Sequence, residues 1–493
     1  MVFSSLLFVY AFLPLSLLVY YICPDRRTKN ISLLVFSLIF YAWGEPKYVL
    51  LLMFMALSSW YCALRIADAP YIETARVWMF VSIAIDIALI GFFKYSPLFC
   101  SIFGRVPDAI ARIALPIGIS FYTFQLMTYV VDVYRGDAHA QRSYWNVLLY
   151  AALFHQCVAG PIVRYKTLAR ELYVSRKAGK DFLPGIRRFT VGLAKKALLA
   201  NPCGALADQL LLASSAASDP SLFAQNLASL QSLTVLESWL GAAAYMLQIY
   251  LDFSAYSDMA IGMGWMLGFH YPENFNYPYI SRSITDFWRR WHMSLSTFFR
   301  DYVYIPLGGN RVSMPRWLLN LFVVWALTGL WHGASWNFVL WGLYYFVFLV
   351  AEKLLLSKVF GKWKVLPHIY ALFVVFVGWI LFRFTDVRLA WQVFRNLFAL
   401  NGNRFSDFIS VTVLQNNLFL LIVSVIACTP LARRVSDLLA ARGRENRSRT
   451  WEIVRTCVIP VVLLLLATSS LVGDSYNPFI YFQFYGGRES NME

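Results

Sequence analysis

The feature that most constrains this chain is a series of long apolar runs that continues over nearly all of its 493 residues. The runs occupy 3–22, 31–43, 48–64, 77–98, 114–133, 190–212, 238–268, 318–332, 336–351, 368–384, 414–430 and 453–473. A straight membrane-spanning helix needs about 20 mainly apolar residues, so we expect several shorter runs to be tilted, broken or re-entrant. Charged residues make up only 14% of the chain, against about 25% in a soluble protein. The pattern predicts an all-α polytopic membrane protein with about 11–13 transmembrane helices, forming a single domain over residues 1–493.

The basic residues predict an orientation for these helices. Lys and Arg concentrate in the stretches 164–196 and 433–449, whereas the stretch 213–236 contains neither. Cytoplasmic loops of membrane proteins carry an excess of Lys and Arg. We therefore expect 164–196 on the cytoplasmic side and both termini on the extracytoplasmic side of the lipid bilayer. The net charge of +16 lies in short loops and forms no continuous basic stripe, which argues against a nucleic-acid partner.

Two segments fit neither a loop nor a span. Residues 270–316 mix Arg, Asp and His with aromatic and aliphatic side chains, so they are too polar to cross lipid and too apolar to lie in water. We expect them to form re-entrant or surface helices packed in the protein, beside a central polar cavity. Residues 388–399 combine an apolar face with adjacent arginines, which predicts an interfacial helix. The predicted apolar face consists of Trp391, Val393, Phe394 and Leu397.

The sequence contains no pattern typical of metal or cofactor binding. The seven cysteines are scattered without a Cys-x-x-Cys pair. Neither a phosphate-binding Gly-x-x-x-x-Gly-Lys loop nor a His-x-x-x-His pair occurs. We therefore expect no structural metal, no disulfide and no permanently bound cofactor.

Ionisable residues inside apolar runs are the first candidates for function, because burying them costs free energy unless they are paired or used. One group lies in the run 238–268 and comprises Asp252, Ser254, Ser257 and Asp258. These side chains suit the polar wall of a substrate cavity. They suit equally a hydrogen-bonded network that holds helices together. The spacing does not decide between the two, and catalysis by the carboxylates is the less favoured hypothesis.

A second group joins two apolar runs and contains Trp331, His332 and Gly333. An imidazole with an ordinary pKa near 6.5 suits a general base at neutral pH. The alternative is a buried histidine that is hydrogen-bonded to a carbonyl group. His292 follows Arg289-Arg290-Trp291 and is a candidate companion, although by itself it fits an interfacial residue. His155 lies in another apolar stretch, and we assign it no role.

The second group and the residues before it resemble the membrane-bound O-acyltransferase superfamily, and within it the bacterial alginate O-acetyltransferase branch. The resemblance rests on Trp331-His332-Gly333 together with Phe287–Ser296. Further ordered matches lie at residues 1–5, 115–122, 159–161, 252–258, 300–302, 307–311 and 477–484. Two positions depart from the branch. Ala255 stands where glycine is expected, and His155-Gln156 lies in a variable segment, which affects the expected polysaccharide more than the chemistry.

The resemblance implies acyl transfer from a thioester to a hydroxyl, with His332 as the essential histidine and His292 as its companion. It implies acetyl-coenzyme A as the donor, an extracytoplasmic polysaccharide such as alginate, a partner acetyltransferase outside the cell membrane, and a location in the bacterial cytoplasmic (inner) membrane. The two imidazoles should then line one cavity and lie less than about 15 Å apart. The other residues expected around the substrate are Trp331, Asp252, Ser254, Ser257, Asp258, Trp288, Arg289, Arg290, Arg300 and Asn310.

Other activities and mechanisms remain open at this stage. Peptidoglycan O-acetylation or D-alanyl transfer to teichoic acid would use the same chemistry on another acceptor. A transporter of lipid-linked sugars would also have about a dozen spans, and a non-catalytic scaffold would bind the partner transferase. Neither of these requires His332. Within the enzyme class, direct transfer and an acyl-histidine intermediate both fit the sequence.

Overall fold

The computed structural model describes residues 2–104, 106–111, 113–158, 160–174, 176–177, 179–217, 219–356, 363–445 and 453–473. Within these ranges every regular element is helical and no strand occurs, which confirms the predicted all-α class. Ala159 of the motif 159–161 and the tail motif 477–484 lie outside the described residues. The same holds for the end of the basic stretch 433–449 and for the C-terminus, whose predicted side therefore stays a prediction.

The helices fall into two compact units, one of Met1–Gly192 with Tyr256–Glu273 and the other of Leu193–Ala255 with Asn274–Glu493. The first contains the helical segments Phe8–Phe12, Leu13–Ile22, Arg26–Gly44, Val49–Ala67, Ile72–Ile90, Gly91–Tyr95, Ser96–Ile102, Asp108–Ala111, Ile119–Tyr134, Tyr144–Ala152, Tyr165–Tyr173 and most of Phe182–Ala194. The second contains Lys195–Ala200, Asn201–Leu211, Ser214–Ala217, Pro220–Leu222, Phe223–Gln231, Pro278–Ile280, Ile284–Trp288, Met293–Phe299, Arg300–Tyr304, Met314–His332, Trp336–Ala351, Glu352–Leu356, Leu366–Arg383, Val387–Leu397, Phe408–Ala427, Leu431–Glu445, Val454–Val458 and Ile459–Gly473. The 33-residue helix Val235–Leu267 contributes to both units. That the chain works as a single domain stays a prediction.

Six helices of the described chain are long and apolar enough to cross a membrane. They are Val49–Ala67, Ile72–Ile102, Trp336–Leu356, Leu366–Arg383, Phe408–Ala427 and Val454–Gly473. The apolar helix Phe8–Ile22 is shorter and corresponds to the first predicted run. In the most apolar part of Phe408–Ala427, only 11% of the residues are buried inside the protein. Lipid can cover the remaining apolar side chains. These helices confirm a multi-pass membrane protein, while the predicted total of about 11–13 spans stays a prediction.

In one predicted apolar run, the helix begins several residues after the run itself. The run 114–133 becomes helical only at Ile119, because Gly118 has a left-handed φ of 76°. An added Cβ on Gly118 would also lie 2.5 Å from the carbonyl oxygen of Cys157. Only glycine meets both demands at low cost.

The helices Met314–His332 and Trp336–Ala351 form a hairpin whose backbones touch. An added Cβ on Gly329 would collide with the carbonyl oxygen of Phe338, and one on Gly342 would collide with the backbone of the first helix. Small residues at helix crossings in membrane proteins allow such close approach. The hairpin therefore fixes the position of the histidine that ends its first helix.

The part of the segment 270–316 that belongs to the second unit consists of short helices joined by extended backbone. Its irregular backbone is hydrogen-bonded within the protein. The amide of Asn276 donates to the carbonyl of Arg290 at 2.9 Å, and that of Met293 donates to the carbonyl of Asn274 at 2.9 Å. Irregular backbone at membrane depth requires such partners.

A carboxylate anchors the same segment to a spanning helix. Glu352 is buried and accepts hydrogen bonds from the backbone amides of Ile284 and Thr285 and from the hydroxyl of Thr285. These amides open the helix Ile284–Trp288, whose first N–H groups have no partner within the helix. The anchored helix leads directly to Trp288 and His292.

The segment 388–399 is helical from Val387 to Leu397, but its buried face differs from the predicted one. Val393 and Leu397 are buried, whereas Trp391 is 57% exposed and packs on Phe394 with ring centroids 5.2 Å apart. Positions 391 and 393 are about 200° apart around an α-helix, so they cannot share a face. The predicted face was therefore wrong at Trp391.

Candidate active site

His332 is enclosed by aromatic rings at the end of the helix Met314–His332. Its ring centroid lies 4.9 Å from that of Trp331, 5.0 Å from that of Trp341 and 5.1 Å from that of Phe382. All three rings meet the imidazole edge to face, a favourable aromatic geometry. Only 7% of His332 is exposed. The cage fixes the plane of the imidazole and restricts the access of bulk water.

His292 is fully buried and lies in the left-handed region with φ 42°, which is uncommon for a residue other than glycine. Its Nδ1 lies 3.1 Å from Oδ1 of Asn274. The same oxygen accepts from the hydroxyl of Ser294 at 2.9 Å and from its backbone amide at 3.3 Å, which identifies it as the amide oxygen. Nδ1 of His292 therefore carries the proton, and Nε2 holds the basic lone pair. Nε2 is buried and has no hydrogen-bond partner among the described residues.

The ring of Trp331 contacts the rings of both histidines. Its ring centroid is 5.5 Å from that of His292 and 4.9 Å from that of His332, so the two imidazole centroids are at most 10.4 Å apart. This separation is within the 15 Å that a shared site requires. Forty residues separate the two histidines in sequence, and the segment containing His292 folds back beside the hairpin whose first helix ends in His332.

Asp252 forms a buried ion pair. Its carboxylate lies 2.9 Å from the ammonium of Lys196, and their side chains are 1% and 4% exposed. The neighbouring Ser254 accepts a hydrogen bond from Lys195 at 3.2 Å. These contacts favour the interpretation of this group as a network that joins helices. Lys196 was expected in the basic stretch 164–196, whose cytoplasmic side stays a prediction, and its side chain is buried in the protein.

Ser257 and Asp258 belong to the other unit, where Asp258 has partners of its own. Asp258 lies 3.0 Å from Nη2 of Arg188, which also contacts Glu273 at 2.5 Å. Ser257 is buried. The four residues predicted to form one polar wall are thus divided between the two units, and a substrate role for each stays a prediction.

The remaining predicted substrate residues differ in burial. Trp288 is buried, and its ring lies 5.5 Å from that of Trp341, which contacts His332. Arg290 forms a hydrogen bond with Asp286 at 2.9 Å. Three residues are exposed and show no described contact with either histidine of the candidate site. They are Arg289, Arg300 and Asn310.

Several residues around the candidate site carry no local sequence signal. Asn274 lies in an irregular stretch, and Trp341 and Phe382 are aromatic residues in apolar runs that contain many others. Their proximity to the histidines depends on contacts between distant parts of the chain. Among the described residues, no group of three or more His, Cys, Asp or Glu side chains could hold a metal ion.

Two histidines of the first unit have partners of their own. His155 Nδ1 lies 2.6 Å from the hydroxyl of Tyr271. His270 contacts Glu171 at 2.7 Å and Asp181 at 3.2 Å. Partial burial lowers the pKa of His270, but hydrogen bonds and charges from the two carboxylates outweigh burial and raise that pKa above its ordinary value. These contacts explain both histidines without assigning them a catalytic role.

Two buried histidines that contact one tryptophan in a helical membrane protein are suited to moving a proton, and this arrangement is consistent with the class of membrane-embedded acyltransferases. The chain belongs to the membrane-bound O-acyltransferase family, whose model matches residues 35–387 and so includes both histidines.

Curated relatives agree with this assignment over most of the chain. A protein named "Probable alginate O-acetylase" from Azotobacter vinelandii is 37% identical over 98% of this chain and 100% of its own length. A protein of the same name from Pseudomonas aeruginosa is 35% identical over the same shares. A "Peptidoglycan O-acetyltransferase" from Helicobacter pylori is 30% identical over 82% of this chain and 80% of its own length. The resemblance found in the sequence and the acyltransferase activity that it implied are thereby confirmed.

Proposed function

We propose that this protein transfers an acetyl group from cytoplasmic acetyl-coenzyme A to hydroxyl groups of an extracytoplasmic polysaccharide such as alginate. The observation that carries the proposal is the buried arrangement of His292, Trp331 and His332. Full-length similarity to two proteins named for alginate acetylation supports the acceptor. The protein would act in the bacterial cytoplasmic membrane, and the basic stretch 164–196 suits the phosphates of the donor.

The chemistry follows from the two imidazoles. His332 removes the proton of the attacking hydroxyl while the hydroxyl oxygen forms a bond to the thioester carbonyl carbon. The carbon–sulfur bond then breaks, and the leaving thiolate takes the proton from the imidazolium. His292, whose Nε2 holds a lone pair, accepts a hydrogen bond from a substrate or from water beside Trp331. General-base catalysis of this kind contributes about 10²–10⁴-fold to the rate.

The acetyl group must reach an acceptor on the other side of the membrane. The proposal includes two routes for its last step, either directly to the glycan or to a separate extracytoplasmic acetyltransferase that modifies the glycan. The second route makes that acetyltransferase a partner of this protein.

Replacement of His332 tests the proposal. His332→Ala should insert and fold, because the apolar helices remain intact, but it should lose acetylation of the polysaccharide. The matched control is His139→Ala, which removes an exposed histidine of the other unit. Acetyl content of the isolated polysaccharide is the measurement, at equal membrane levels of each variant. Wild-type acetylation by His332→Ala would contradict the enzyme proposal and favour a transporter or a scaffold.

Peptidoglycan O-acetylation is the second candidate, because the Helicobacter pylori relative aligns with most of this chain. The same strains decide between the two acceptors. Loss of His332 should remove acetyl groups from the exopolysaccharide and leave those of the peptidoglycan unchanged. The reverse result would move the proposal to peptidoglycan.

A further inference from the structure

Arg383 joins the ends of two helices in the second unit. It is the last residue of Leu366–Arg383, and only 1% of its side chain is exposed. Its Nη2 donates to the carboxylate of Asp208 at 2.7 Å, to the carbonyl of Leu212 at 2.7 Å and to that of Ala207 at 3.3 Å. The acceptors lie around the C-terminal end of Asn201–Leu211, where helical carbonyls lack partners within the helix.

The turn that Arg383 holds is strained. Leu212 has a left-handed φ of 91°, which is costly for a residue with a Cβ and persists only when its surroundings fix it. The hydrogen bond from Arg383 to the Leu212 carbonyl is one such constraint. The ring of Tyr245 packs against the guanidinium, 4.8 Å from its Cζ.

The residue before Arg383 is part of the aromatic cage. The ring of Phe382 lies 5.1 Å from that of His332 and 5.0 Å from that of Trp341. Consecutive residues of one helix cannot move independently. A displacement of the helix end at Arg383 would therefore move Phe382 away from His332.

We propose that Arg383 is a positioning residue for acyl transfer. By tying the end of its helix to Asp208 and to the Leu212 turn, it holds Phe382 against His332 and keeps the imidazole in its reactive orientation. This inference rests on the catalytic role proposed for His332.

The hydrogen-bond pattern supplies a sharp test. All three bonds from Arg383 to described residues come from one nitrogen, Nη2, whereas Nε and Nη1 make none with them. A lysine ammonium has three donors and can replace Nη2 alone. A methionine fills similar space and donates nothing. A positioning role therefore predicts that Arg383→Lys works and Arg383→Met does not.

The experiment measures acetyl transfer by the purified full-length protein in lipid nanodiscs. Arg383→Met should lower kcat about 10–100-fold with little change in KM, as expected when a reacting group is misplaced by about 1 Å. Arg383→Lys should restore kcat to within about threefold of wild type, because its ammonium keeps the positive charge beside Asp208 and has three donors for the same acceptors, although it ends one bond short of Nη2. The matched control is Arg388→Met, which removes an exposed arginine paired with Asp386 close by in the chain.

A second readout follows His332 without relying on turnover. Modification of His332 by diethyl pyrocarbonate, located by mass spectrometry, should be faster in Arg383→Met than in wild type or Arg383→Lys. Phe382→Leu leaves the ion pair intact and should reproduce both the loss of kcat and the faster modification, so it replaces Arg383→Met if that variant fails to fold.

Two results would overturn the inference. One is a folded Arg383→Lys as inactive as Arg383→Met, which would show that a charged donor at this helix end is not sufficient to position Phe382. The other is wild-type kcat and unchanged His332 modification in Phe382→Leu. An active His332→Ala would instead refute the proposed function. In that case the rates at which His332 is modified in the Arg383 and Phe382 variants would still report whether Arg383 positions the imidazole.

Discussion

The hydrogen bond between His292 and Asn274 selects one tautomer of a buried imidazole. Because the amide oxygen of Asn274 also accepts two bonds from Ser294, it cannot rotate away without leaving those donors unsatisfied. The proton of His292 is therefore held at Nδ1 and the lone pair at Nε2. This is the arrangement in which an orienting group makes one nitrogen of a histidine available for proton transfer.

Asn274→Ala should lower acetyl transfer about 10–100-fold while the protein still folds, because the imidazole of His292 loses the acceptor that fixes its tautomer and Ser294 loses the acceptor of two hydrogen bonds, whereas His332, the proposed general base with a contribution of about 10²–10⁴-fold, remains. The control is Asn276→Ala in the same extended segment, because the described hydrogen bonds of Asn276 involve only its backbone. Asn276→Ala should retain activity. Initial rates at equal amounts of folded protein are the measurement, and equal loss in both variants would mean that the segment as a whole, and not the tautomer, is required.

Sequence alone selects two candidate histidines but does not show what surrounds them. Trp331 and His332 form a short motif, and His292 follows a second one, so local pattern is sufficient for both. Asn274 is 18 residues from His292 in an irregular stretch, and a local pattern cannot show that their side chains meet. Lys196 looks like any other basic residue at the edge of an apolar run, and only its contact with Asp252 distinguishes it.

At the scale of helices, the buried pair of Lys196 and Asp252 connects the segment Lys195–Ala200 to the long helix Val235–Leu267. Two charges that are almost fully buried stabilise a structure only as a pair, because each alone would remain uncompensated in a medium of low dielectric constant. The pair therefore accounts for Asp252 without a catalytic role.

Asp252→Asn should destabilise the protein by about 3–5 kcal/mol, since it leaves the Lys196 ammonium buried without a counter-charge. The double variant Lys196→Met with Asp252→Leu removes both charges and should recover most of the stability and the activity. Thermal unfolding of the purified protein and acetyl transfer are measured for the single and double variants. A double variant that is stable but inactive would return Asp252 to the list of catalytic candidates.

Helix positions were largely predictable, because in lipid a backbone must satisfy its own hydrogen bonds and long apolar runs therefore become helices. Single residues decide where the geometry departs from a regular helix. The apolar run 114–133 contains Pro116 and Gly118, and its helix begins only at Ile119, because Gly118 packs against another segment of backbone. Trp391 was assigned to the same apolar face as Val393 by its chemistry, although the two positions are about 200° apart around the helix.

At the scale of the whole molecule, the charge pattern supports a functional orientation. The proposed donor is cytoplasmic and the proposed acceptor is extracytoplasmic, so opposite sides of the membrane should carry different surfaces. The stretch 164–196 is rich in Lys and Arg, and 213–236 lacks both. Attraction to a donor with several phosphates would then occur only on the cytoplasmic side.

Cysteine labelling can test this orientation in intact cells. Lys177→Cys and Ser221→Cys place a new thiol at an exposed position in the basic stretch and in the stretch without Lys or Arg, in a background where the exposed Cys457 and the half-buried Cys23 and Cys100 are replaced by serine. A membrane-impermeant maleimide added outside should label Ser221→Cys and leave Lys177→Cys unlabelled, because Lys and Arg mark the cytoplasmic side. Lys177→Cys should react once the cells are permeabilised, which controls for a buried or unreactive thiol. Labelling of Lys177→Cys from outside would invert the orientation, and with it the side on which the protein takes up its donor.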